Sequence, residues 1–142
     1  MTAHRKLAAV IGALYLLTFA TSIPALALKQ SFLQGGGGGG AEAALHWAAL
    51  LEVVLALACV GTAIAFYPVG RRHDPALALG FVASRTLEAS MVLTGVIALL
   101  AIGAVRGAAP DGDAGAVDAA LTAVHDWAFL LGPGLLPAVN AV

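Results

Sequence analysis

Val53-Val54-Leu55-Ala56-Leu57-Ala58-Cys59-Val60-Gly61-Thr62-Ala63-Ile64-Ala65-Phe66 is a run of fourteen residues without a charge, set inside a longer apolar stretch over 43–69. A bilayer core of about 30 Å takes about 20 helical residues, so the stretch is long enough to cross one. Its apolar residues follow one another instead of alternating with polar ones, and lipid offers backbone groups no partner. The run therefore predicts a helix and not a barrel strand. Working outward, three further runs of this size lie at about 7–28, 76–105 and 119–142. The expected fold is all-α: a polytopic transmembrane bundle of four spans forming one domain over 1–142.

Composition agrees. Of the 142 residues 61% are hydrophobic and 11% charged, with mean hydropathy +0.94. A soluble domain carries about 25% charged residues, so a soluble enzyme is excluded. The formal net charge is −1 and the basic residues form no stripe, which excludes a nucleic-acid partner. A lone cysteine, Cys59, rules out an internal disulfide and a cysteine-based zinc site.

Breaks separate the runs: 29–42, 70–75 and 106–118. The first contains six consecutive glycines, Gly35 to Gly40, and reads as a flexible connector. No strand precedes it and no Lys-Ser or Lys-Thr follows, so it is no phosphate loop. Arg5, Lys6, Arg71 and Arg72 fall on one side of the four spans, and Lys29 and Arg106 on the other beside Glu42, Asp111, Asp113 and Asp118. The positive-inside rule then places the amino terminus in the cytoplasm of a cell-membrane protein. A rival reading of the first run is a signal peptide cleaved after Ala25-Leu26-Ala27. Its 22 apolar residues exceed the usual h-region of about 7 to 15, and cleavage would leave an odd number of spans.

Five ionisable residues sit where lipid is expected: Glu52, Arg85, Glu88, His125 and Asp126. Charges at such depth are expensive and face the bundle interior or water. In the third span, thirteen Leu, Ile, Val and Phe residues contribute near −6 kcal/mol, against roughly +5 to +7 for Arg85 and Glu88. That helix is marginal alone and depends on partners. Arg85 and Glu88 are three apart and share a face. Counting residues from the span ends brings Glu52 to their depth, and His125 and Asp126 approach it from the other side. The expectation is one polar cluster of five. Below Glu52, Ala56, Cys59 and Ala63 form a small-residue stripe, matched by Ser84, Glu88, Met91 and Gly95, which lets backbones approach closely. With His125 neutral the cluster carries −2, so a proton or a bound cation is expected to compensate.

The plainer readings stand beside these. Glu52, Arg85 and Glu88 can be a structural ion-pair network that sets helix register. His125 and Asp126 can face an outer vestibule, and His46 and Trp47 suit interfacial anchors. Arg71 and Arg72 are topology determinants, and such pairs also attract anionic lipid headgroups. Gly132, Pro133, Gly134 and Pro137 break or kink the fourth span. The dipeptides His73-Asp74 and His125-Asp126 lack the flanking ligands of a phosphohydrolase, and no repeat or known catalytic signature is present.

The ordered motifs resemble those of the bacterial integral-membrane family DUF4386. They begin with Gly12-Ala13-Leu14-Tyr15-Leu16-Leu17-Thr18, Leu50-Leu51-Glu52 and Gly61-Thr62-Ala63 before Tyr67-Pro68. They continue with Ala78-Leu79-Gly80-Phe81-Val82-Ala83-Ser84-Arg85 plus Glu88, and close with Ala123-Val124-His125-Asp126-Trp127-Ala128-Phe129-Leu130-Leu131-Gly132-Pro133-Gly134. The resemblance covers nearly the whole chain and implies that Glu52, Arg85, Glu88, His125 and Asp126 match the family's polar positions. It also implies a more ordinary connector than Gly35 to Gly40, and continuation past Asn140 by a basic loop and about two helices, so that this chain looks like a truncated member.

The family supplies no reaction, substrate or cofactor. The leading expectation is a multi-pass membrane protein without catalysis, in a structural, sensory or partner-binding role, its partners the lipid bilayer and a second copy or other membrane proteins. The alternative is proton- or cation-coupled transport through the five residues. An intramembrane enzyme using His125 and a carboxylate ranks last, for want of a nucleophile or a complete metal set.

Overall fold

The structure is a computed structural model that describes residues 3–35, 40–108 and 115–139. It is all-helical among the described residues: α1 (Ala3–Gly35), α2 (Ala41–Gly70), α3 (Pro75–Ala108), α4 (Gly115–Phe129), a π-helical segment (Leu130–Leu135) and one last turn, α5 (Leu136–Val139). Three helices are long and apolar enough to cross a membrane, over Arg5–Gln34, Ala41–Gly70 and Pro75–Ala108. The fourth expected run is a shorter helix, and its Gly-Pro-Gly accounts for the change of pitch. Pro133 has no N–H to return to the carbonyl of Phe129, and the wider π turn accommodates the lost bond.

The breaks are shorter than expected. The connector read over 29–42 does not begin at Lys29, because α1 continues to Gly35. Phe32 packs with Leu45, Ala48, Leu99 and Ile102, with Leu28 and Leu33 beside them, and this apolar contact draws the last two turns of α1 onto the bundle. Residues 36–39, most of the glycine run, lie outside the described residues, as do 109–114 in the third break. Arg106 and Asp118, expected in that break, belong to α3 and α4.

The turn between α2 and α3 is as tight as its sequence suggests. Asp74 Oδ1 accepts the N–H groups of Ala76 and Leu77 at 2.8 and 3.0 Å, and Pro75 opens α3 where no donor is needed. Asp74→Ala is expected to lower stability by about 1 kcal/mol, read as a drop in the thermal midpoint in detergent; an unchanged midpoint rejects the cap.

Each helix packs on its sequence neighbour, α1 on α2, α2 on α3, and α3 on α4 and the segments after it. On α2 the buried residues Leu45, Ala48, Glu52, Leu55, Cys59 and Thr62 recur in alternating steps of three and four, the spacing of a left-handed helix seam. On α3 Arg85, Glu88, Val92, Gly95, Leu99 and Ile102 do the same. The outer faces are equally apolar: Leu57 and Ile64 on α2 and Ile97 on α3 are about two-thirds exposed. A helix apolar all round suits a lipid surrounding. Small residues bring the seam together, with Ala49, Ala56 and Cys59 packed among Ala89, Val92 and Val96.

Candidate functional site

Antiparallel packing of α2 on α3 decides which charges share a depth. Leu45 lies against Gly103, and Gly70 against Ala78, so residue numbers on facing positions add to a nearly constant value. Glu52 therefore stands level with Gly95, whereas Glu88 stands beside Cys59. Seven helical residues separate the two levels on each helix, about 10 Å along the axis. The expected single cluster of Glu52, Arg85, Glu88, His125 and Asp126 is thus divided into two.

At the first level the partner of Glu52 is Lys29, whose Nζ lies 3.1 Å from Glu52 Oε1 with both side chains buried. The ammonium also sits 3.1 Å from the centroid of the Phe129 ring, a cation–π contact strengthened by the burial of Lys29. Phe129 lies tilted against His125 with ring centroids 4.8 Å apart, and His125 Nδ1–H donates to the Gly95 carbonyl at 2.9 Å. Gly95 makes this arrangement possible, since a Cβ there would meet Phe129 Cε2 at 2.6 Å. Asp126, the next residue round the helix, is exposed and bonds neither Lys29 nor His125, although it lies within coulombic reach of both.

At the second level Arg85 Nη1 donates to Glu88 Oε2 at 2.5 Å, both residues 5% exposed. The guanidinium stands 5.5 Å from the Tyr15 ring centroid, which carries α1 to α3. A third, half-open pair lies further along. Arg106 Nε and Nη2 bond the two Asp118 carboxylate oxygens at 2.7 and 3.0 Å, and Nη1 donates to the Phe32 carbonyl at 3.3 Å. Arg106 also has a ring beneath it, Phe32 at 5.2 Å. All three cations thus combine a carboxylate with an aromatic ring.

This pairing removes the charge deficit expected from sequence. Lys29 adds a positive charge and Asp126 is exposed, so the buried Lys29, Glu52, Arg85 and Glu88 balance with His125 neutral. Among the described residues no group of three or more His, Cys, Asp or Glu side chains is placed to hold a metal ion. The two His-Asp dipeptides lie far apart, one in the α2–α3 turn and one on α4. Three buried polar atoms of the pairs have no hydrogen-bond partner among the described residues: Glu52 Oε2, Arg85 Nε and Arg85 Nη2.

Lys29 is the residue that sequence reasoning placed wrongly, in a loop. The signal was present, because Thr21, Ala25, Lys29 and Phe32 recur at helical spacing and all four are buried. Phe129 and Tyr15 carried no charge and drew no attention, although each covers a cation.

No curated protein and no solved structure matches the chain. A family model does, over residues 10–142, and its description is Domain of unknown function (DUF4386). With most of the sequence covered, from the first apolar helix through the Gly-Pro-Gly segment, the chain belongs to the DUF4386 family.

Proposed function

We propose that the chain is a multi-pass cell-membrane protein whose buried charges hold helices in register, and that it serves as a structural or partner-binding element without chemistry of its own. The observation that carries this reading is the pairing of Lys29 with Glu52 and of Arg85 with Glu88, which leaves the interior neutral. Transport needs a site that gains and releases charge, and closed pairs roofed by Phe129 and Tyr15 suit a fixed role better. We take the membrane to be crossed four times, the fourth by residues 115–139, about 35 Å of helix. The amino terminus and the 70–75 turn then lie in the cytoplasm.

Two measurements test this. In a Cys59→Ala background an impermeant maleimide should label Ala116→Cys in intact cells and His73→Cys only after permeabilisation; the opposite pattern overturns the orientation. Reconstituted into liposomes with an internal pH dye, the protein should admit protons no faster than empty vesicles. A proton flux abolished by Glu52→Gln would replace the structural reading by the transport alternative, for which the unpartnered Glu52 Oε2 is the supporting observation.

A further inference from the structure

At the end of the bundle away from Arg106, residues of α2, α3 and the turn between them line a cavity of about 570 Å³, within the 300–1000 Å³ range typical of ligand pockets. Its walls are mainly apolar. Phe66 and Phe81, with ring centroids 4.7 Å apart, form the back together with Val69 and Ala78, and exposed Leu77 and Gly80 mark the open side. The lining runs along the start of α3, and from Asp74 to Ser84 is ten residues, about 15 Å. Ser84 Oγ, buried with no hydrogen-bond partner among the described residues, is a polar group in the lining, as are His73 and Asp74. Thr86, Ser90 and Thr94 on the same helix each donate to the carbonyl four residues back. Ser84 makes no such bond.

The mouth is charged. Arg71 and Arg72 are exposed in the turn that carries His73, and the Arg71 guanidinium stands 5.8 Å from the Tyr67 ring centroid. The only carboxylate of the turn, Asp74, is engaged by the first N–H groups of α3. A mainly apolar slot about 15 Å long, bounded by a turn whose next residues are two exposed arginines, complements a molecule with a hydrocarbon tail and an anionic head. We propose that the slot holds one acyl chain of an anionic phospholipid whose phosphate rests on Arg71 and Arg72. The inference depends on the membrane reading given above, and the labelling pattern tests that reading separately.

The test uses the full chain in dodecyl maltoside micelles, titrated with dioleoyl phosphatidylglycerol or dioleoyl phosphatidylcholine and followed by native mass spectrometry and by the thermal midpoint. One phosphatidylglycerol should be retained with about tenfold preference over phosphatidylcholine, as two arginines near a headgroup imply. Arg71→Gln with Arg72→Gln should abolish the preference. Gly80→Phe should abolish retention by filling the slot, and since nothing lies within 4 Å of a Cβ at that position, the fold should accept it. Should that variant unfold, Leu77→Gln, at a position 74% exposed, places a polar group in the same path. Equal retention of the two lipids by the wild type overturns the headgroup assignment. Undiminished phosphatidylglycerol binding by folded Gly80→Phe, or the same midpoint shift from inorganic phosphate alone, overturns the acyl-chain assignment.

Discussion

Lys29→Met is expected to destabilise the protein in detergent by about 3–5 kcal/mol, and Lys29→Met combined with Glu52→Met by much less. The single change strands the Glu52 carboxylate, 1% exposed, in an interior with no other cation bonded to it. The double change substitutes apolar side chains of similar length and removes the need for a partner. Lys29 also holds the α1 end against Phe129, so the single variant should loosen α1 and α4 together. The check is a double-mutant cycle on denaturation midpoints. Simple addition of the two single effects would mean that the pair contributes nothing as a pair. For contrast, Arg106 and Asp118 are 32% and 26% exposed at their side chains, and breaking that pair should cost under about 1 kcal/mol.

The second large effect is steric. Gly132→Val should cost about 3 kcal/mol, near the upper end for overpacking, because a Cβ at Gly132 meets Met91 Cβ at 2.6 Å. Met91 Cβ is fixed to the α3 backbone and cannot swing aside, so the π-helical segment and α3 must separate. The Glu88 carbonyl, 3.5 Å away, would be disturbed in the same movement. At Gly95 the obstacle is the edge of the Phe129 ring, which can turn at the expense of its contact with Lys29. Gly12, with nothing within 4 Å of an added Cβ, supplies the control: Gly12→Ala should be neutral or gain about 0.5–1 kcal/mol through helix propensity. Equal midpoints for Gly132→Val and Gly12→Ala would reject the close approach of the π segment to α3.

Much of this architecture was legible in the chain. Unbroken apolar runs lead to helices because the backbone has no other way to satisfy itself away from water. The break at 70–75 and the Gly-Pro-Gly interruption were visible as local signals. Glu52, Arg85, Glu88 and His125 stood out because a buried charge is expensive, and the structure does bury all four. The outer limit of α1 was missed, since lysine followed by glutamine and serine resembles the start of a loop when Phe32 and Leu33 have no known neighbours. Asp126 was grouped with His125 because they are adjacent, yet successive residues on a helix point about 100° apart.

Sequence by itself therefore determined the helices, their apolar character and the residues whose burial had to be compensated, because these depend on local composition and on the energy of each group. Only the tertiary structure decided who compensates whom. Partner choice depends on the relative sliding of neighbouring helices, where seven residues amount to about 10 Å. That register set Lys29, rather than Arg85, beside Glu52 and turned an unbalanced cluster into separate neutral pairs.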